Sequence, residues 1–268
     1  DDFPHTGSMR YLDESKKIPA VAISTVDAEL LSAVLKKNPE TEFKLLTWCK
    51  TLPDVKSYNV IAEITGTEFP DEVIVVGGHL DTWDVGEGAH DDGAGCVQSM
   101  EVLRTLKALN IKPKRTIRCV LYMNEENGNR GGHAYADWAK TTNEKQIAAF
   151  ESDAGGFSPR GFTIDYPDNT MIANFQQLKP LFLPYGVYHI EAGYGGVDIG
   201  PLKELGTVLI GLHPDSQRYM DYHHTANDTF DKVNKRELSL GAATMTAVAW
   251  WISENGIQND NKEIQFSK

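Results

Sequence analysis

His79, Asp91, the pair Glu125 and Glu126, Asp153 and His224 are residue types that hold cations or move protons. Each lies in a short segment where a strand should end: GGHLD, GAHDDGAG, MNEENG, ESDAGG and HHTANDT, in that order. Two imidazoles, two terminal carboxylates, one carboxylate able to bridge and one spare glutamate form the donor set that a hydrolytic centre with two zinc ions needs.

Each segment also has an ordinary reading. His79 and Asp81 are two positions apart, so a strand puts both side chains on one face. Asp81 can then accept the second imidazole N–H while the other nitrogen binds a metal; a half-buried histidine satisfied by a nearby aspartate would look the same. Asp91 and Asp92 open a helix, where capping and the helix dipole favour aspartate anyway. The flanking glycines, however, permit unusual backbone angles and let Asp91 present its two oxygens to two cations. Adjacent glutamates are ordinary on a surface loop, yet at the mouth of a sheet they can divide the work, Glu126 binding metal and Glu125 moving protons. Asp153 precedes a glycine pair, and His223 and His224 sit among turn-formers. Solvated loop polarity would explain any one of these segments, but five together are hard to obtain as independent decoration.

The elements that must position them read as follows. Residues 18–24 (IPAVAIS) form an apolar strand, residues 26–37 a helix, and residues 42–49 a second strand, followed by a boundary at LPDVKS. From Tyr58 the pattern changes to β-rich runs: YNVIAEITG, then EVIVVGGH after the turn-forming TEFPD, as in a hairpin that feeds a central strand. A helix over 93–109 with an apolar face of Val97, Met100, Val102, Leu103, Leu106 and Leu109, strand RTIRCVLYM, and a helix over 131–140 come next. Strand QIAAFESD, a helix over 169–183, strand TVLIGL and a helix over 236–254 complete the alternation. This predicts an α/β fold with a mixed, mostly parallel central sheet sandwiched by helices. In such sheets, chemistry gathers beyond the carboxyl ends of the strands, where these segments fall. The last residues, NGIQNDNKEIQFSK, read as a polar frayed tail.

A length of 268 residues can bury a large core. The net charge of −12 argues against nucleic acid or anionic lipid as partner, and no apolar run is long enough to span a membrane. Cys49, Cys96 and Cys119 lack ligand spacing and read as buried small hydrophobes. The opening DDFPHTGSMRY reads like the interior of a domain, so the chain is taken as a fragment without its targeting signal. His5, His90, His133, His189 and His213 pair with no carboxylate at ligand spacing and are read as structural or exposed. No serine or cysteine occupies a nucleophile motif, and the sequon at Asn227 is read as chance. Trp83, Tyr194 and Tyr222 are candidates to line a substrate pocket, although aromatic packing is the more common use of any one of them.

GGHLDTWDVGEGAHDDGAG, MNEENG, ESDAGG and HHTANDT, in this order and spacing, resemble the metal-ligand blocks of the cocatalytic zinc aminopeptidase and glutamate carboxypeptidase superfamily. PHTGSMRY, KKIPAVAIS, YNVIAEITG and WDVG resemble its carboxypeptidase Q-like branch. The resemblance implies that His79, Asp91 and Asp153 bind one zinc and Asp91, Glu126 and His224 the other, with Asp92 not a ligand. It also implies a cis peptide between Asp91 and Asp92, Asp81 supporting His79, and Glu125 as general base. Two divalent ions against three ligand carboxylates leave one positive charge, which a hydroxide balances.

The implied substrate is a short peptide or dipeptide, and His223 stands where several relatives carry an oxyanion-stabilising tyrosine. Residues 1–55 would be the end of a small protease-associated lobe and 56–268 the catalytic domain, in a secreted or periplasmic enzyme; whether it forms a homodimer is left open by the sequence. Three alternatives stay open at this point: an aminopeptidase on longer peptides, a single-zinc enzyme like the glutaminyl cyclases, or a non-catalytic receptor-like relative.

Overall fold

The computed structural model describes residues 2–13, 17–167 and 169–257. Residues 258–268, most of the expected polar tail, lie outside the described residues. In chain order the elements are α1 (Thr25–Lys37), β1 (Val60–Ile64), β2 (Phe69–His79), α2 (Ala94–Ala108), β3 (Arg115–Tyr122), α3 (Arg130–Lys140) and β4 (Lys145–Glu151). They continue with β5 (Pro159–Asp165), α4 (Asn169–Gln176), α5 (Lys179–Phe182), β6 (His189–Ala192), β7 (Val208–Pro214) and α6 (Lys235–Asn255). The seven strands form one sheet in the order β1-β3-β2-β4-β7-β5-β6. Neighbours β3, β2, β4 and β7 run parallel, as do β5 and β6, whereas β1 on β3 and β5 on β7 are antiparallel. The mixed, mostly parallel sheet expected from the alternation is therefore present.

Burial explains why these runs became central strands. Val73, Ile74, Val75 and Val76 of β2 are fully buried, as a parallel strand covered on both faces requires. Successive residues serve opposite faces. Ile74, Val76, Ile117, Cys119 and Phe150 pack with Val102 and Leu106 of α2 and Met245, Val248 and Ile252 of α6. Val73, Val75, Val120, Tyr122 and Ala149 pack on the other side with Tyr135, Ala136 and Ala139 of α3. The apolar face of α2 is narrower than its sequence suggests: Val97, Met100 and Leu109 are exposed because one stripe, centred on Val102 and Leu106, faces the core.

Three local expectations are corrected. β1 and β2 are not a hairpin, since β3 lies between them. The link between them rounds the start of β3, with the N–H groups of Glu68 and Phe69 donating to the Lys114 carbonyl. At Gly66 a side chain would meet the Arg115 backbone at 2.6 Å. This route gives β2 parallel partners on both edges, which its fully apolar sequence demands. Residues 18–24 and 42–49 are not strands. Ile18, Val21, Phe43, Leu46 and Trp48 are exposed there, and with no ladder partner among the described strands an apolar run has nothing to make it extended. Cys49, in the second of these stretches, is exposed, while Cys96 and Cys119 are buried as expected.

The helix expected over 169–183 is divided into α4 and α5. Strands β5 and β6 were not anticipated. Among the described residues no helix is long and apolar enough to cross a membrane.

Candidate metal centre

The carboxyl ends of β2, β3, β4 and β7 point the same way, because these four strands are mutually parallel. His79 is the last residue of β2, Glu125 and Glu126 follow β3, Asp153 follows β4, and the loop after β7 carries His223 and His224. Residues separated by up to 145 positions thereby meet in one place.

Asp91 is at the centre. Its Oδ1 lies 3.3 Å from Nε2 of His79, and its Oδ2 lies 3.2 Å from Nε2 of His224. His79 Nε2 is also 3.5 Å from Asp153 Oδ1 and 4.0 Å from Glu125 Oε2. His224 Nε2 is 3.1 Å from Glu126 Oε2. Two clusters therefore share one aspartate, through different oxygens. Asp92 diverges, its Oδ2 accepting from the His79 N–H at 3.0 Å and its Oδ1 from the Gly95 N–H at 3.0 Å. The two aspartates therefore face different ways across a cis peptide, Asp92 toward the start of the helix and Asp91 toward the histidines.

The supports of the cluster are mostly backbone contacts. Nδ1 of His79 donates to the carbonyl of Asp81 at 2.8 Å, whereas the Asp81 carboxylate, at 3.9 Å, is too distant for a hydrogen bond. The expected second N–H partner is thus Asp81's main chain. Its carboxylate instead accepts from the N–H groups of Glu125 and Glu126, at 3.0 and 3.3 Å, and so shapes the turn that presents both glutamates. Sequence reasoning missed Asp228, which is buried and accepts from the N–H groups of His90 and Asp91 at 2.7 and 3.0 Å. The only signal was its place in the HHTANDT block. Glu151 was also missed; it accepts from the N–H groups of Val197 and Ile199 and ties the loop after β6 to the end of β4.

The other singled-out residues divide. His223 stacks on His224, with ring centroids 3.6 Å apart, and its Nε2 is 3.7 Å from Asp91 Oδ2. Trp83 lies beside His224, at 5.7 Å between centroids. Tyr194 lines a cavity of about 270 Å³ together with Glu151, Asp153, Thr163 and His213. Tyr222, His90 and Phe157 form a three-ring cluster, with centroids 4.3, 5.0 and 6.0 Å apart. His90 is therefore structural, as expected, and Tyr222 packs against it. His5, set aside on sequence grounds, reaches the site's backbone with Nδ1 2.6 Å from the His223 carbonyl.

Electrostatically the cluster is incomplete without a cation. His79 Nε2, Asp91 Oδ2, Glu126 Oε1 and Asp153 Oδ1 are buried without a hydrogen-bond partner. Burial opposes charge on His79, yet Asp153 and Asp91 hold its proton well above the ordinary range. His224 likewise, against burial, is raised to about 10 by Asp91 and Glu126. Burial also disfavours the Asp91 charge, but the His224 and His79 imidazoles keep its carboxyl below its ordinary value. Burial pushes Glu125 up to about 7, with Asp153, Glu126 and Asp91 adding to the rise and His79 opposing it. Orphaned nitrogen and oxygen atoms converging around Asp91 fit divalent metal with mixed imidazole and carboxylate ligands.

Comparison with known proteins shows the family of the chain. The profile of peptidase family M28 matches residues 59–249. Carboxypeptidase Q of Mus musculus is 36% identical over 251 residues, covering 94% of this chain and 53% of that protein. The crystal structure of a peptidase M28 precursor from Shewanella amazonensis SB2B superposes with a TM-score of 0.82 at 34% identity, covering 99% of this chain and 59% of that one. A zinc aminopeptidase from Bacillus subtilis shares the fold at 19% identity, with a TM-score of 0.59 over 75% of this chain and 51% of that one. The chain spans about half the length of the curated relatives it matches. The superfamily resemblance of the metal blocks is borne out: the chain belongs to peptidase family M28.

Proposed function

We propose that this chain carries the catalytic centre of a zinc metallopeptidase that removes residues from short peptides, dipeptides among them. In this reading His79, Asp91 and Asp153 hold one zinc, and Asp91, Glu126 and His224 hold a second. The observation that carries it is the division of Asp91, one oxygen facing His79 and the other His224. When bound, zinc supplies Lewis acidity, polarising a carbonyl and acidifying water.

The protein's own groups do the rest. Glu125, close to His79 and pushed up by burial, accepts a proton from the attacking water and returns it to the leaving amine. Asp81 holds the peptide groups of Glu125 and Glu126 so that the two carboxyls take separate roles. The Asp81 carbonyl fixes the His79 tautomer with Nε2 toward the cluster. Trp83, Tyr194 and His223 border the space a peptide would occupy, and a free substrate terminus is held there. Export, to the periplasm or the medium, is part of the same proposal and rests on the family resemblance.

A panel of dipeptides with free and blocked termini, assayed with and without a chelator, tests the reading. Hydrolysis that needs zinc and one free terminus is expected. Hydrolysis that survives complete removal of metal contradicts it.

A further inference from the structure

A neutral imidazole offers a lone pair on one ring nitrogen only, so His224 can serve Asp91's cation site only if its other nitrogen keeps the hydrogen. What holds that hydrogen comes from the opposite end of the chain. Nδ1 of His224 is 3.1 Å from the carbonyl oxygen of Thr6. A carbonyl only accepts, so Nδ1 is the donor and Nε2 is left with its lone pair toward Asp91 and Glu126. The backbone pairs in the reverse sense, the Thr6 N–H donating to the His224 carbonyl at 2.8 Å. One residue earlier, Nδ1 of His5 donates to the His223 carbonyl at 2.6 Å.

An independent feature points to the same contact. His224 has φ of 58°, in the left-handed region that a residue with a side chain rarely adopts. Such a conformation persists where surrounding contacts over-determine it. The Thr6 N–H fixes the carbonyl on one side of His224, and the Thr225 N–H donating to the Tyr222 carbonyl closes the turn on the other.

We propose that residues 5 and 6 are the positioning element of the His224 cation site: the main chain of Thr6 sets the tautomer and orientation of His224, and His5 anchors the strap to the loop. The inference rests on His224 being a ligand. Because the contacts at Thr6 are main-chain, the side chain of residue 6 is replaceable while its N–H is not.

Zinc titration of the whole chain against a chelating dye tests this with three proteins: wild type, Thr6→Pro, which removes the N–H, and Thr6→Ala, which keeps it. The expected result is that Thr6→Pro weakens one of two zinc sites by about 10-fold or more, the usual effect of losing an outer contact, while Thr6→Ala stays within about twofold. Equal zinc affinity in wild type and Thr6→Pro overturns the proposal, as does a loss in Thr6→Ala matching that in Thr6→Pro.

Imidazole nitrogen NMR of the zinc-loaded wild type gives a second readout that needs no variant. Hydrogen on Nδ1 of His224 is expected, and hydrogen on Nε2 overturns the proposal. A wild type that binds no zinc removes the metal reading itself, whereas two tight sites indifferent to Thr6→Pro remove the strap alone.

Discussion

Glu125 and Glu126 are chemically identical and adjacent, yet position divides them. Glu126 Oε2 lies 3.1 Å from His224, whereas Glu125 Oε2 lies 4.0 Å from His79. Glu125→Gln keeps the shape and removes the base, so peptidase turnover should fall roughly 10²–10⁴-fold while zinc content, measured by elemental analysis, stays unchanged. Asp228 is the complementary case, a residue that supports without facing the cluster. Asp228→Ala leaves the N–H groups of His90 and Asp91 without their acceptor, which should cost about 1–3 kcal/mol in urea unfolding of the metal-free protein. A loss below a few tenths would mean that water replaces it.

At this scale the sequence was legible where a residue's type is its function. Every expected ligand lies in the cluster. It was illegible where the main chain acts, because any residue has a carbonyl: the Asp81 oxygen that meets His79 is such a group. Asp228 was hidden in a block read for its histidines.

At the scale of elements, the site depends on α2 starting against the ends of β2 and β4. A Cβ at Gly95 would lie 1.8 Å from the Ser152 carbonyl oxygen and 2.5 Å from Asp92 Oδ1. Gly95→Ala should therefore force α2 away from the strand ends, at about 1–3 kcal/mol or more, and weaken zinc binding as well. Unchanged urea midpoint and zinc affinity would show that the helix start is slack.

Strong periodicity made the central strands and the helices α2, α3 and α6 readable, since burial on both sheet faces leaves a continuous apolar run. Pairing order was not readable in the same way. VIAEI and VIVVGGH are close in sequence, but the partner of β1 is decided by β3, some fifty residues away. β6 is four residues long, and β5 follows a glycine-rich turn, so neither carries enough pattern to stand out. The apolar runs at 18–24 and 42–49 had the composition of strands without the neighbours that make one.

For the whole molecule, removal of metal leaves buried groups that hold protons more tightly when folded than when unfolded. Burial pushes Glu125 up to about 7, Glu151 up to about 8 and Asp198 up to about 9, while Asp91 and Glu126 raise His224, against burial, to about 10. Between each ordinary value and each raised one, folding takes up a proton, so stability falls as pH rises. His90 and His223, lowered by burial, act in the opposite sense, but only below their ordinary value of 6.5. Metal-free protein should accordingly melt lower at about pH 8.5 than at about pH 6.5, by roughly 5 °C or more for a chain of this size. Zinc replaces the proton on His224, so saturating metal should narrow the difference and release protons on binding. A melting temperature that rises with pH in the chelated protein would contradict the electrostatic account.

The proposed chemistry depends on two cations sharing Asp91. The direct measurement is an anomalous difference map, collected across the zinc absorption edge from crystals of zinc-loaded protein. Two peaks are predicted, one within about 2.0–2.2 Å of ligand atoms from His79, Asp91 and Asp153 and the other equally close to Asp91, Glu126 and His224. A single peak, or two peaks that do not both touch Asp91, would contradict it.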